Sequence, residues 1–248
     1  MSAWSYDAIA QVYATDMGRS MPFDDIGWYR DVCAAHGGRA LELGCGTGRI
    51  LIELAAAGID VFGVDRSLPM LDRLARDAAV RGLAPPLAQM DLRALALDAR
   101  FDMILLPYSL ITYVVDRDEA AQILARLRML AADDARLVLD AFVPQPVASF
   151  ADFRLDYRRP HEGGTLEREK RITANADGTN RIERRYRVLD AHGAVVEEIC
   201  TDETVRPYAP DALAALAATA GWQVERIAWD YGVNAGPDGA KFASLLLR

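Results

Sequence analysis

Between residues 39 and 49 the chain reads as a short apolar run, a turn of alternate glycines and the start of an amphipathic helix. Arg39-Ala40-Leu41-Glu42-Leu43 leads into Gly44-Cys45-Gly46-Thr47-Gly48, and Ile50, Leu51, Leu54 and Ala55 follow at the spacing of one helix face. A buried strand, a turn and a helix open a βαβ unit, which commits the chain to an α/β sheet. Three glycines at alternate positions let the backbone turn sharply and let a ligand approach without Cβ clashes, while the helix start offers N–H groups. The G-x-G-x-x-G dinucleotide fingerprint would need a third glycine at Arg49, and a phosphate loop would need Gly-Lys-Ser/Thr, so neither describes this turn.

Later strand ends repeat the theme. Val61-Phe62-Gly63-Val64 ends in Asp65, a carboxylate that can accept from both hydroxyls of a ribose. Ser67-Leu68-Pro69-Met70-Leu71 and Gln89-Met90-Asp91-Leu92 come next in order. With Glu42-Leu43-Gly44-Cys45-Gly46-Thr47-Gly48, the series resembles the class I S-adenosylmethionine-dependent methyltransferases, whose turn reads E/D-x-G-x-G-x-G and whose second strand runs into D-x-S-x-x-M-L. The resemblance implies a Rossmann-like, mostly parallel seven-stranded sheet flanked by helices. It implies S-adenosylmethionine as cofactor and S-adenosylhomocysteine as product. Cofactor contacts are then expected from Glu42, Gly44, Cys45, Gly46 and Gly48 at the turn. Further contacts are expected from Asp65 on the ribose, from Arg66 and Met70 beside the adenine, from Asp91 on its exocyclic amine, and from Leu92 and Leu106 around them. The alternative for Asp65 and Asp91 is an ordinary strand-end carboxylate, and for Glu42 a turn cap.

Upstream, Tyr6, Ile9, Ala10, Tyr13 and Met17 share a helical spacing over residues 5–17. The resemblance extends to a Y-x-x-I/L-A-x-x-Y helix across the cofactor mouth, which makes Tyr6 and Tyr13 cofactor contacts and Tyr13 also a catalytic candidate. Arg19 is a candidate contact for the cofactor carboxylate, with a solvated helix face as the alternative. A plain amphipathic helix is the competing reading. Pro22-Phe23-Asp24-Asp25 opens a second helix that stops at Gly37-Gly38, and the two helices together are expected to form a lid over residues 1–36.

Downstream of the turn the core spans residues 37–149. Phe101 to Leu106 is a buried strand that runs into Pro107-Tyr108-Ser109, at the sheet edge where open α/β folds bind substrate. Tyr108 is therefore a catalytic and substrate-binding candidate. Asp116 with Glu119 reads as a capping pair opening a helix through Leu130. Leu137 to Phe142 is the fifth strand. Asp140 near its end is the foremost candidate for proton acceptor or substrate-orienting acid, with Phe142 lining the substrate beside it. A carboxylate satisfied by neighbouring amides is the alternative for Asp140.

From 150 to 205 the periodicity changes to 2, with Ile182, Arg184, Tyr186 and Val188 on one face. Three or four antiparallel strands are expected there, as an insertion that covers substrate or mediates self-association. Arg184 and Tyr186 are substrate-binding candidates, and His161 is a second candidate base. Between Arg154 and Arg187 stand ten basic residues against six acidic ones, a net +4, which admits an acidic substrate. Residues 206–248 complete the core, with Trp222 to Tyr231 and Phe242 to Leu247 resembling the family's last two strands, the final one inserted antiparallel.

Composition closes off other classes. The chain has 248 residues, a formal net charge of −8 and a pI of about 5.0, so its average surface repels phosphate backbones and no nucleic-acid partner is expected. Cys33, Cys45 and Cys200 are odd in number and form no C-x-x-C pair, which reads as reduced thiols in a cytoplasmic protein without a thiolate metal site. The start of the chain has no basic and apolar leader pattern, and the longest apolar stretch, 104–115, is too short to span a bilayer. The expected activity is methyl transfer from S-adenosylmethionine to nitrogen, oxygen or an activated carbon of a small molecule, with nitrogen or activated carbon slightly favoured over oxygen because no histidine stands at an obvious strand end. A catalytically silent donor-binding subunit and, less well supported, a nucleic-acid methyltransferase are the alternatives.

Overall fold

The computed structural model describes residues 5–17, 23–145 and 147–248; Arg19 and Pro22 lie outside them. In chain order the elements are α1 (Ser5–Ile9), α2 (Tyr13–Met17), α3 (Asp25–His36), β1 (Ala40–Leu43), α4 (Leu51–Ala56), β2 (Val61–Asp65), α5 (Leu68–Val80) and β3 (Leu87–Gln89). There follow β4 (Phe101–Leu106), α6 (Arg117–Leu130), β5 (Ala131–Phe142), β6 (Phe150–His161), β7 (Gly164–Ala174), β8 (Asn180–Leu189) and β9 (Val195–Val205). The chain ends with α7 (Pro210–Thr219), β10 (Val224–Trp229) and β11 (Phe242–Leu247). They fall into two compact units, one holding α1, α2 and β6 to β9, the other holding everything else; α3 thus goes with the large sheet and not with the first two helices.

The larger unit is a seven-stranded sheet in the order β10-β11-β5-β4-β1-β2-β3. β1 runs parallel to β2 and β4, β2 to β3, and β4 to β5, whereas β11 is antiparallel to both β5 and β10. This is the mostly parallel sheet with a reversed last strand expected from the sequence. Its inner strands are mostly apolar because both faces are covered: all four residues of β1, Glu42 included, and all six of β11 are buried. Leu41, Leu43, Ile104, Leu106, Leu137, Leu139 and Leu245 meet Leu124, Leu127 and Leu213 of the helices in one core. Each such leucine contributes about 1.5–3 kcal/mol by leaving water. Trp222, fully buried beside them, donates its indole N–H to the Leu124 carbonyl at 3.0 Å.

Helix starts follow their local chemistry. Ser67 caps α5 by accepting from the Met70 N–H, with Pro69 in the first turn, where its missing N–H costs nothing. Asp116 Oδ1 accepts from the N–H groups of Asp118 and Glu119, but Glu119 pairs with Arg93 at 3.1 Å, so only half of the expected reciprocal cap forms. The strand expected over Trp222 to Tyr231 stops at Trp229, because Asp230 and Tyr231 take positive φ values of 46° and 57° and turn the chain. The helical spacing over 5–17 becomes two five-residue helices. Neither is long enough to hold itself together in water.

The smaller unit is a four-stranded antiparallel meander, β6-β7-β8-β9. Its period of 2 sorts side chains cleanly. One face is an ion-pair ladder, with Arg187 between Glu167 (3.0 Å) and Glu198 (3.2 Å), Arg185 on Glu169, Arg171 on Glu183 and Arg181 on Asp202 (2.6 Å each). The other face buries Leu166, Tyr186 and Ile199 and seats α2, whose Asp16 is itself buried and accepts from Tyr157, Tyr186 and Arg168. The +4 window stops short of β9. Counted over 150–205, Glu197, Glu198, Asp202 and Glu203 among others bring the balance to ten basic against twelve acidic residues, so the basis for an acidic substrate disappears.

Candidate functional site

At the carboxyl end of β1 the glycine turn is tied to β2. The N–H groups of Gly44 and Cys45 both donate to the Val64 carbonyl, at 2.7 and 3.1 Å. Gly44, Gly46 and Gly48 all have positive φ (67°, 54° and 86°), and a Cβ on Gly44 would lie 2.5 Å from Leu110 Cδ2. The turn therefore requires glycine for conformation, and a side chain at Gly44 would in addition have to displace the end of Leu110. Asp65 closes it from below, Oδ2 accepting from Gly46 N–H and Oδ1 from Ser67 N–H, both at 2.8 Å. One carboxylate thus fixes the turn and the start of α5, and a carboxylate has about four lone-pair sites, enough to accept from a ligand's hydroxyls as well.

Glu42, two residues before this turn, is fully buried, and its Oε2 has no hydrogen-bond partner. Burial pushes its pKa up to about 8, with the charge of Arg49 working in the opposite direction and Asp65 adding to the rise. A buried carboxyl with an open oxygen is costly unless a donor or a cation meets it. Here the residues fit S-adenosylmethionine, since its ammonium would give Glu42 that partner and its ribose would meet Asp65. Asp91 caps the short turn after β3 through Arg93 N–H and reaches Arg66 at 3.4 Å, bringing two further expected contacts together. Cys45, Met70 and Leu106 are buried, and Leu92 is half-buried. Burial raises the Cys45 thiol well above its usual range, so it stays protonated.

A second group of expected site residues lies where β4 and β5 end. Tyr108 meets Phe142 at 5.5 Å between ring centroids, Phe142 meets Phe242 at 4.6 Å, and Tyr231 meets Phe242 at 5.8 Å. Of these, Phe142 is exposed at 40%. Near them Asp140 is completely buried, and its Oδ1 has no hydrogen-bond partner. Its Oδ2 accepts from the Tyr29 hydroxyl (2.5 Å), the Tyr231 hydroxyl (2.8 Å) and the Tyr108 N–H (2.8 Å). Burial raises the Asp140 pKa, opposed by Ser244, Tyr29, the Tyr108 amide and Tyr231. Burial and the neighbouring Asp140 charge hold both tyrosines far above the usual phenol range, so they remain donors.

Other candidates fall in the smaller unit. Tyr6 and Tyr13 stack edge to face at 5.8 Å. His161 Nδ1 lies 2.8 Å from Thr15 Oγ1, Arg184 pairs with the buried Glu203 at 2.5 Å, and the Tyr186 hydroxyl bonds Asp16. Arg19 is outside the described residues. Asp140, Tyr108 and Phe142 are brought together with one another, and the glycine turn with Glu42, Asp65, Arg66 and Asp91. Sequence reasoning missed Tyr29, Tyr231, Asp230, Phe242 and the bidentate pair of Arg49 with Asp25 (2.9 and 2.5 Å). In the sequence Arg49 stands out only as a misfit to a fingerprint, and Tyr29 sits mid-helix with no motif around it. Among the described residues no cluster of three or more His, Cys, Asp or Glu could hold a metal ion, and no helix is long and apolar enough to cross a membrane.

Residues 40–133 match the family model of the methyltransferase domain. A cypemycin N-terminal methyltransferase from a Streptomyces species is 31% identical over 100 residues, covering 40% of this chain and 38% of its own length. The chain spans less than half the length of the curated relatives it matches. Among solved structures, the CcbJ methyltransferase of Streptomyces caelestis superposes with a TM-score of 0.80 at 23% identity, over 98% of this chain and 97% of its own. The sugar N-methyltransferase KedS8 of Streptoalloteichus sp. superposes with a TM-score of 0.72 at 23% identity, over 95% and 91%. At these identities the superpositions establish the fold.

Proposed function

We propose that this chain, a class I S-adenosylmethionine-dependent methyltransferase by its domain and its fold, transfers the methyl group of S-adenosylmethionine to a small-molecule acceptor, preferentially an amine. The observation that carries the reading is the buried Glu42 carboxyl with its open oxygen, set two residues before a turn whose three glycines all have positive φ. S-adenosylmethionine brings a methyl already activated on a sulfonium, so the chain's own task is alignment, a contribution that reaches about 7–11 kcal/mol in well-oriented reactions. Glu42 and Asp65 would hold the donor's ammonium and ribose, Asp91 the adenine edge.

The acceptor would stand against Tyr108 and Phe142, whose rings give an apolar, cation-tolerant wall. An amine already unprotonated at working pH needs no base, which agrees with the sequestration of Asp140. The cypemycin relative, by its name, acts at an N-terminus, and KedS8 is a sugar N-methyltransferase; both support nitrogen as the acceptor. Titration of S-adenosylmethionine and S-adenosylhomocysteine into wild type and Glu42→Ala, followed by turnover against pooled amines, phenols and carboxylates, tests the proposal. Binding weakened in the variant and turnover confined to the amine pool are expected. Absence of binding in the wild type would refute it, and binding without turnover on any pool would leave a donor-binding subunit.

A further inference from the structure

Asp140 Oδ2 gathers donors from three separate stretches of chain: Tyr29 on α3, the Tyr108 N–H after β4 and the Tyr231 hydroxyl after β10. Two of those stretches are left-handed at residues other than glycine, with φ of 52° and 53° at Tyr108 and Ser109 and of 46° and 57° at Asp230 and Tyr231. Residues held this way persist only where the surroundings over-determine them. Asp230 provides a second clamp, its Oδ1 accepting from the N–H groups of Lys241 and Phe242 at 2.9 and 2.8 Å. These turns carry Tyr108 and Tyr231, whose rings pack on Phe142 and Phe242 at the ends of β5 and β11. The turn after β4 also seats Leu110 on Gly44.

We infer that Asp140, with Tyr29 and Tyr231, is a positioning hub: the carboxylate holds the Tyr108 turn in its left-handed form and so sets where Tyr108 and Phe142 stand, and it takes no proton from the acceptor. This rests on reading the wall as the acceptor side. Geometry carries it: Asp140 has no exposed surface, its Oδ2 serves three donors, and its Oδ1, though without a hydrogen-bond partner, is buried with the rest of the side chain behind the Tyr108 turn it holds.

Asparagine separates the two roles. Its carbonyl oxygen can still accept from the three donors and its amide can face Ser244, but it cannot serve as a base. In Asp140→Asn the Tyr108 amide is expected to stay protected from hydrogen exchange, with acceptor kcat/KM within about tenfold of wild type and an unchanged pH profile. In Asp140→Ala that amide is expected to exchange about a hundredfold faster or more, and acceptor KM to rise at least about tenfold. Should Asp140→Ala not fold, Tyr29→Phe with Tyr231→Phe removes two hydroxyls at constant ring volume, and the same acceleration is expected. A protected Tyr108 amide together with a kcat loss of about 10²–10⁴-fold in Asp140→Asn would make Asp140 a general base and overturn the inference. Unchanged Tyr108 exchange in Asp140→Ala, or in the double tyrosine variant, would overturn it without any activity. If no acceptor turns over, the exchange data still decide the hub while the functional reading fails separately.

Discussion

The Glu42 carboxyl, held protonated up to about pH 8 by burial, makes the stability of the chain sensitive to pH. In the unfolded chain the same group titrates near 4.5. Its folded pKa is raised, so its contribution to stability is full below about pH 4.5, falls as pH rises through the window to about 8, and stays lost above it. Glu42→Gln is therefore expected to leave the melting temperature unchanged near the bottom of that window and to raise it above the top, read from thermal melts across pH. A loss of stability in the variant at high pH would contradict the burial-driven shift. Binding of a cationic donor beside Glu42 favours its ionised form, so titrations near neutral pH in buffers of different ionisation heat should show proton release. The presence of an acid before the glycine turn was legible in the sequence. Its raised pKa was not, because burial depends on how distant elements close over it.

At the scale of elements, the glycine turn couples conformation to packing. Gly44→Ala places a methyl 2.5 Å from Leu110 Cδ2 in a residue with φ of 67°. A cost of about 1–3 kcal/mol is expected in denaturant melts, and Leu110→Ala in the same chain should recover the steric part and leave the backbone part. Full recovery would show that the positive φ carries no strain. Helix α2 depends on Asp16 in the same way. Asp16→Asn removes the buried carboxylate that ties α2 to Arg168 while Arg168 keeps Asp156, so hydrogen exchange over Tyr13–Met17 should accelerate as the helix loses its charged anchor. Strands β1, β2, β4 and β5 were legible because an apolar run between turns has few alternatives. The Asp140 hub was not, since Tyr29 lies 111 residues and Tyr231 lies 91 residues away in sequence and neither sits in a motif. Tyr108 and Asp140 were both singled out from their strand ends, yet only the fold shows which supports the other.

For the whole molecule, the −8 charge and the ion-pair ladder of β7, β8 and β9 bear on partners. The arginines of that face are met by carboxylates on neighbouring strands, so a polyanion gains little by approaching it. The chain is expected to pass a heparin column unretained at about 0.1 M salt; retention that falls with salt would revive a nucleic-acid role. The family match covers residues 40–133, the part whose strand-end motifs could be read in order, while the antiparallel sheet was legible only as alternation. Its charge balance misled until β9 was counted, because cross-strand pairing decides which charges cancel. The most direct measurement is S-adenosylhomocysteine formation by the full chain given S-adenosylmethionine and pooled small amines, run beside a calorimetric titration of both nucleosides. Saturable binding of each, with product formed only when an amine pool is present, is the expected result. No saturable binding of either would contradict the assignment of the Glu42 to Gly48 turn as the methyl donor's seat.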